Sequence, residues 1–174
     1  MAEKKEVVDE KALQKIWIKS YLGQYYWARN KKRQLERRLQ TFRQEMIGTK
    51  GMQYSPVPHS QTNSVGDGPA SMVIRAMEIE EQIESQKEQM ANAMLNVMKM
   101  MDFLPAESTE RIILEYRHID CLSWKQIARE MNYSRASCNN YYNAGIEKLL
   151  TFKKVQKMLE EYSEIFQLTA SRRG

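Results

Sequence analysis

The sequence has no apolar run approaching the roughly 18 residues a helix needs to cross a bilayer. No membrane partner is therefore expected. The first residues, MAEKKEVVDEK, place no apolar stretch behind their charges, so no secretory signal is expected either. Metal-binding residue types are scarce. There are two histidines, His59 and His118, well apart, and two cysteines, Cys121 and Cys138. That is too few for a metal site or a disulfide framework. Both cysteines sit in amphipathic patterns and are expected to be reduced, buried thiols. No glycine-rich phosphate loop occurs, and no recognised nucleophile–histidine motif is present. Neither an enzyme nor a cofactor is expected.

Helix breakers are few and clustered. Gly48, Gly51, Gly66, Gly68, Pro56, Pro58 and Pro69 all fall in residues 48–71, with many Ser, Thr, Asn and Gln. Such a stretch buries little and breaks helices, so it reads as a flexible linker or the tip of a long loop.

What remains is helical in pattern. Hydrophobic residues are 42% and charged residues 28%, a composition that folds. Residues 1–47 form one amphipathic block, with Ile18, Tyr21, Tyr25, Ala28, Leu35, Leu39, Phe42 and Met46 alternating spacings of three and four apart from one interruption at Lys32. From Asp9 to Ile47 a straight helix would be roughly 58 Å long, and it needs a partner to cover its stripe. Residues 72–102 form a second block, with Met72, Ala76, Ile79, Ile83, Met90, Met94, Val97 and Met101 on one face. The net charge of +5 is unevenly spread: residues 1–47 carry +6 and residues 72–102 carry −3. Folded back antiparallel, the blocks would place opposite charges along one seam. The fold class expected is all-α: a long helical hairpin or coiled coil followed by a C-terminal helix-turn-helix.

Residues 103–150 carry the functional signal. Ser108 or Thr109 can cap a helix to Ile119, with Ile112, Ile113, Tyr116 and Ile119 to one side. Ser123 can cap a second, Trp124 to Met131, with Ile127, Ala128 and Met131 inward and Trp124 between helices. A break at Asn132-Tyr133 follows, where Asn tolerates a left-handed residue. Ser134 can cap a third, with Cys138, Tyr141, Gly145 and Leu149 as its buried face. A short helix, a tight turn and a second helix make a helix-turn-helix. No Lys or Glu occurs from Ser134 to Ile146, unlike an ordinary solvated face. Asn can bond adenine with both ends of its amide, and Arg can do the same with guanine. The expected DNA-contacting residues are Ser123, Lys125, Arg129, Ser134, Arg135, Ser137, Asn139, Asn140 and Asn143.

The stretch Leu104-Pro105, Glu110 to Leu114, Leu122-Ser-Trp-Lys-Gln-Ile-Ala128, Met131-Asn-Tyr-Ser134 and Ala144 to Leu149 resembles region 4 of sigma-70-type transcription factors. Asn132 stands where that family usually has a turn glycine, and Arg135 is the one basic residue early in the last helix. With the long helical N-terminal part, the arrangement resembles phage-encoded ArpU-type and RinA-type late-gene regulators. The resemblance implies a sequence-specific transcriptional regulator, an activator of phage or prophage late genes, working in the cytoplasm of a bacterial host. It implies double-stranded DNA as partner, with RNA polymerase and a second copy of the chain as further candidates. A small terminase subunit for DNA packaging, or a protein-interaction adaptor, would also combine these parts.

Two other features stand out. Tyr21, Tyr25, Tyr26 and Trp27 precede the basic run Arg29 to Arg43, a combination that suits stacking on single-stranded nucleic acid as well as a helix seam. Residues 151–174 carry Phe152, Val155, Leu159, Tyr162 and Phe166, an amphipathic helix that can pack back, dimerise or dock on a partner, before a frayed Ser171 to Gly174.

Overall fold

The computed structural model describes residues 2–49 and 69–171, with side chains for residues 11–47 and 70–167. Most of the expected linker, and residues 172–174 of the tail expected to fray, lie outside them. Among the described residues the fold is all-α, in six helices: α1 (Ala2–Thr49), α2 (Pro69–Met101), α3 (Thr109–His118), α4 (Trp124–Met131), α5 (Arg135–Leu150) and α6 (Lys153–Ser171). The chain divides into two compact units, Ala28–Met90 and the remainder.

In the unit Ala28–Met90, Leu35 and Leu39 of α1 meet Ala76 and Ile83 of α2, flanked by Phe42 and Ile79. Gln86 is buried there too, at a position the apolar spacing skips. Arg43 pairs with Glu80 across the two helices. Lys32–Glu36 and Lys87–Glu84 pair within their own helices. Each such exposed pair contributes only about 0.2–1 kcal/mol.

The other unit is built around one continuous core. Ile18 and Leu22 from α1, Val97, Met100 and Met101 from α2, Ile113 and Leu114 from α3, Ile127 from α4, Cys138, Ile146 and Leu149 from α5, and Val155 and Leu159 from α6 all enter it. Segment 103–150 therefore shares its core with α1, α2 and α6. Burying a side chain of this size stabilises by about 1.5–3 kcal/mol. Tyr162 extends the contact by meeting Tyr21 at 5.2 Å and Trp17 at 6.3 Å between ring centroids.

The α2–α3 corner is held by Arg111. Its guanidinium donates to Glu115, to the Leu104 carbonyl and to Asp102, at 2.8, 3.1 and 2.9 Å. Ser108 is the α3 cap, its Oγ accepting from the Arg111 backbone N–H.

Several inward-facing positions differ from those the spacing predicts. On α3 the buried residues are Ile113, Leu114 and His118, while Ile112, Tyr116 and Ile119 are half-covered. On α5 Tyr142, not Tyr141, turns inward, with Ile146 beside it. The Tyr141 ring stacks on Tyr133 outside, at 5.5 Å. Adjacent tyrosines point 100° apart on a helix, and the α3 crossing selects the second. Cys138 is fully buried as expected. Cys121 is only half-buried and sits in no helix: it holds φ 57°, turning the chain between α3 and α4. Methionines divide likewise: Met100 and Met101 fill the core, whereas Met77 and Met98 are exposed.

Candidate nucleic-acid interface

The α4–α5 pair is set by local chemistry at three points. Ser123 and Gln126 form a reciprocal capping box: Ser123 Oγ accepts from the Gln126 N–H, and Gln126 Oε1 accepts from the Ser123 N–H at 2.9 Å. This satisfies backbone donors that a helix start leaves open. Asn132 ends α4 at φ 53°, ψ 36°, the left-handed conformation that Asn tolerates better than most residues. The Tyr133 N–H then reaches back to the Ala128 carbonyl at 3.1 Å. Ser134 starts α5, its Oγ accepting from the Ser137 N–H at 3.0 Å and lying 2.9 Å from Ser137 Oγ.

Packing fixes which face of α5 is outward. Cys138, Tyr142, Gly145, Ile146 and Leu149 are buried, so Arg135, Ala136, Asn139, Asn140 and Asn143 are exposed. Gly145 lets α3 and α5 approach closely: a Cβ there would lie 2.9 Å from Leu114 Cδ1 and 3.1 Å from Glu110 Cβ. Lys148 pairs with Glu110 at 2.5 Å across the same contact. Farther along α5, Glu147 is paired with Lys15 of α1 at 2.7 Å. Behind the face, His118 and Tyr142 are joined: Nε2 lies 3.1 Å from the hydroxyl, with the rings near-parallel. Burial is the main cause that pushes His118 down to about 4, reinforced by the Arg117 charge. Burial likewise pushes Tyr142 up to about 12. Both are neutral at pH 7. Trp124 packs edge-on to Tyr142 at 5.3 Å, between helices as its position predicts.

The nine residues expected at a DNA surface fall into two groups. Lys125, Arg129, Arg135, Asn139, Asn140 and Asn143 are all exposed. Among the described residues, none of the three cations has a carboxylate within salt-bridge distance, and none of the three asparagine amides has a hydrogen-bond partner. Ser123, Ser134 and Ser137 instead spend their hydroxyls on helix starts. Their contribution to any ligand would come with the backbone N–H groups they orient. The stacked pair Tyr133–Tyr141, both exposed at the turn, is an addition that helical spacing did not single out. The signal was available: two adjacent tyrosines cannot both face one core.

Among the described residues no group of His, Cys, Asp or Glu is arranged to hold a metal ion, and no helix is long and apolar enough to cross a membrane. The chain matches no family model, no curated protein and no solved structure.

Proposed function

We propose that this chain is a sequence-specific, double-stranded-DNA-binding regulator of transcription, with α4 and α5 acting as a helix-turn-helix. One observation carries the reading: a carboxylate-free face, Arg135 through Asn143, whose asparagine amides are free, beside unpaired Lys125 and Arg129 on α4. Asn and Arg left free in this way can pair with adenine and guanine edges through two hydrogen bonds each. In this reading α5 enters the major groove. Asn139, Asn140, Asn143 and Arg135 reach base edges, whereas Lys125, Arg129 and the starts of α4 and α5 hold phosphates. The pairing of α1 with α2 serves as a helical hairpin or coiled coil.

The likeness of residues 104–149 to sigma region 4 supports a role at promoters. It extends the proposal to activation of phage or prophage late genes, with RNA polymerase and a second copy of the chain as partners. Selection of duplexes from a random library, followed by footprinting, tests the reading. A defined protected sequence, with binding weakened by Asn140→Ala, is the expected result. Absence of any salt-dependent duplex binding overturns it.

A further inference from the structure

One cavity of about 450 Å³ lies on the unit that holds α4 and α5, away from the outward face of α5. Its walls come from α1, the end of α3 and the start of α4. Gly23, Tyr26 and Trp27 form one side; Arg117 and Gln126 form the other. That volume falls within the range of small-ligand sites.

The two aromatic rings are not part of the core. Trp27 is 68% and Tyr26 45% exposed, whereas Tyr21, on the same helix, is buried. Burying indole surface is favourable, so leaving this ring in water forgoes stability that a ligand would restore. The two rings meet at 75° and 5.5 Å, offering one face and one edge.

The polar groups of the wall that are left unengaged are mostly donors. Gln126 Oε1 is consumed by Ser123, and its Nε2 is without a partner. Arg117 uses Nη1 on the Leu122 carbonyl and lies over the Trp124 ring, leaving Nε and Nη2 without partners. The Trp27 indole N–H also has none. The Tyr26 hydroxyl can accept as well as donate, as can that of Ser123, which is already engaged both ways with Gln126. No carboxylate lines the cavity, and Arg117 is its charged side chain. Donors, one positive charge and aromatic walls suit a planar ring that carries an anion.

Gly23 gives a separate indication. Glycine inside a helix costs about 1 kcal/mol relative to alanine. Its φ is not positive, and an added Cβ would meet only the Trp27 ring, at an ordinary 3.5 Å. The fold does not require glycine there. The space it leaves opens into the cavity.

We infer that this cavity binds a nucleoside phosphate, the base on Trp27 and Tyr26 and the phosphate on Arg117 and Gln126. The choice of a nucleotide over another aromatic anion rests on the duplex-binding reading, since Ser123 and Gln126 belong both to the cavity and to the start of α4. The source is either an unstacked nucleotide of a single strand or a free mononucleotide.

Anisotropy with a labelled ten-nucleotide oligothymidylate, and calorimetry with thymidine monophosphate, on the full chain, tests this. Trp27→Ala, at an exposed position, is expected to keep the helical content and lower oligothymidylate affinity roughly ten-fold or more. Trp27→Phe restores most of it, and Arg117→Lys weakens it. Asn140→Ala leaves it unchanged and weakens duplex binding alone; Trp27→Ala does the reverse. Trp27-dependent binding of the mononucleotide as well identifies a free nucleotide as ligand, whereas binding of the oligonucleotide alone identifies the strand. Both support the site. Equal binding by wild type and Trp27→Ala, or no binding of either probe, overturns it, even where Asn140-dependent duplex binding stands.

Discussion

His118 Nε2 and the Tyr142 hydroxyl lie 3.1 Å apart where α3 crosses α5, with the two rings near-parallel at 5.7 Å between centroids. This buried polar pair joins α3 to α5, the helix whose outer face carries the exposed asparagines. Each group is pushed toward its neutral form, His118 down to about 4 and Tyr142 up to about 12.

Stability should therefore fall in mild acid. The unfolded chain protonates its histidine near the usual 6.5, while folded His118 resists until about 4. Below 6.5 the unfolded state binds the extra proton. The stabilisation from this group is complete above that value and is lost as pH falls toward 4. The full shift corresponds to about 3 kcal/mol. Urea unfolding at pH 7.5 and pH 4.5 checks this: His118→Gln should show a distinctly smaller loss across the window than wild type. Parallel curves would refute the assignment.

Two glycines in helix interiors should respond oppositely to alanine. At Gly145 the added methyl meets Leu114 and the Glu110 Cβ at 2.9 and 3.1 Å, and overpacking of this kind costs about 1–3 kcal/mol. That exceeds the gain of about 1 kcal/mol from better helix propensity. Gly145→Ala should lower the thermal midpoint. At Gly23 the methyl finds ordinary contact, so Gly23→Ala should raise it.

The left-handed residue at the end of α4 makes a third test. Asn132→Ala places a Cβ-bearing residue without Asn's local hydrogen bonding at φ 53°, and should destabilise by about 1 kcal/mol. Asn132→Gly should be neutral or slightly stabilising. Denaturant midpoints of the pair measure the difference.

Within the proposed function, base and phosphate contacts should separate in the salt dependence. Asn140→Ala should weaken binding to a selected duplex by about 1–3 kcal/mol, with the slope of log affinity against log salt unchanged. Lys125→Gln and Arg129→Gln should each reduce that slope by about 0.9 and weaken all duplexes alike. A slope unmoved by the double substitution removes the phosphate assignments.

Much of the fold was legible because its signals are local. Ser108, Ser123 and Ser134 mark helix starts by their own hydroxyls, and Asn132 marks a stop by its tolerance of positive φ. The α4 bounds follow from those residues alone. Exposure of Arg135, Asn139, Asn140 and Asn143 was also readable, since the only apolar residue among them on that face is the small Ala136. The aromatic run of α1 was not resolved. Tyr21 and Tyr25 turn toward the core, while Tyr26 and Trp27 face the cavity beside Arg117, more than eighty residues away in the chain. Cys121 gave no sign of its left-handed backbone.

The amino-acid order by itself determined where helices begin and end and how polar each face is, because capping, propensity and periodicity act over one or two turns. Tertiary structure decided which of two neighbouring side chains turns inward, Tyr142 over Tyr141. It also decided that α1, α2 and α6 complete the core around α3 to α5. Those outcomes depend on close packing between segments distant in sequence, and a helical pattern fixes a face only to within about one residue's rotation.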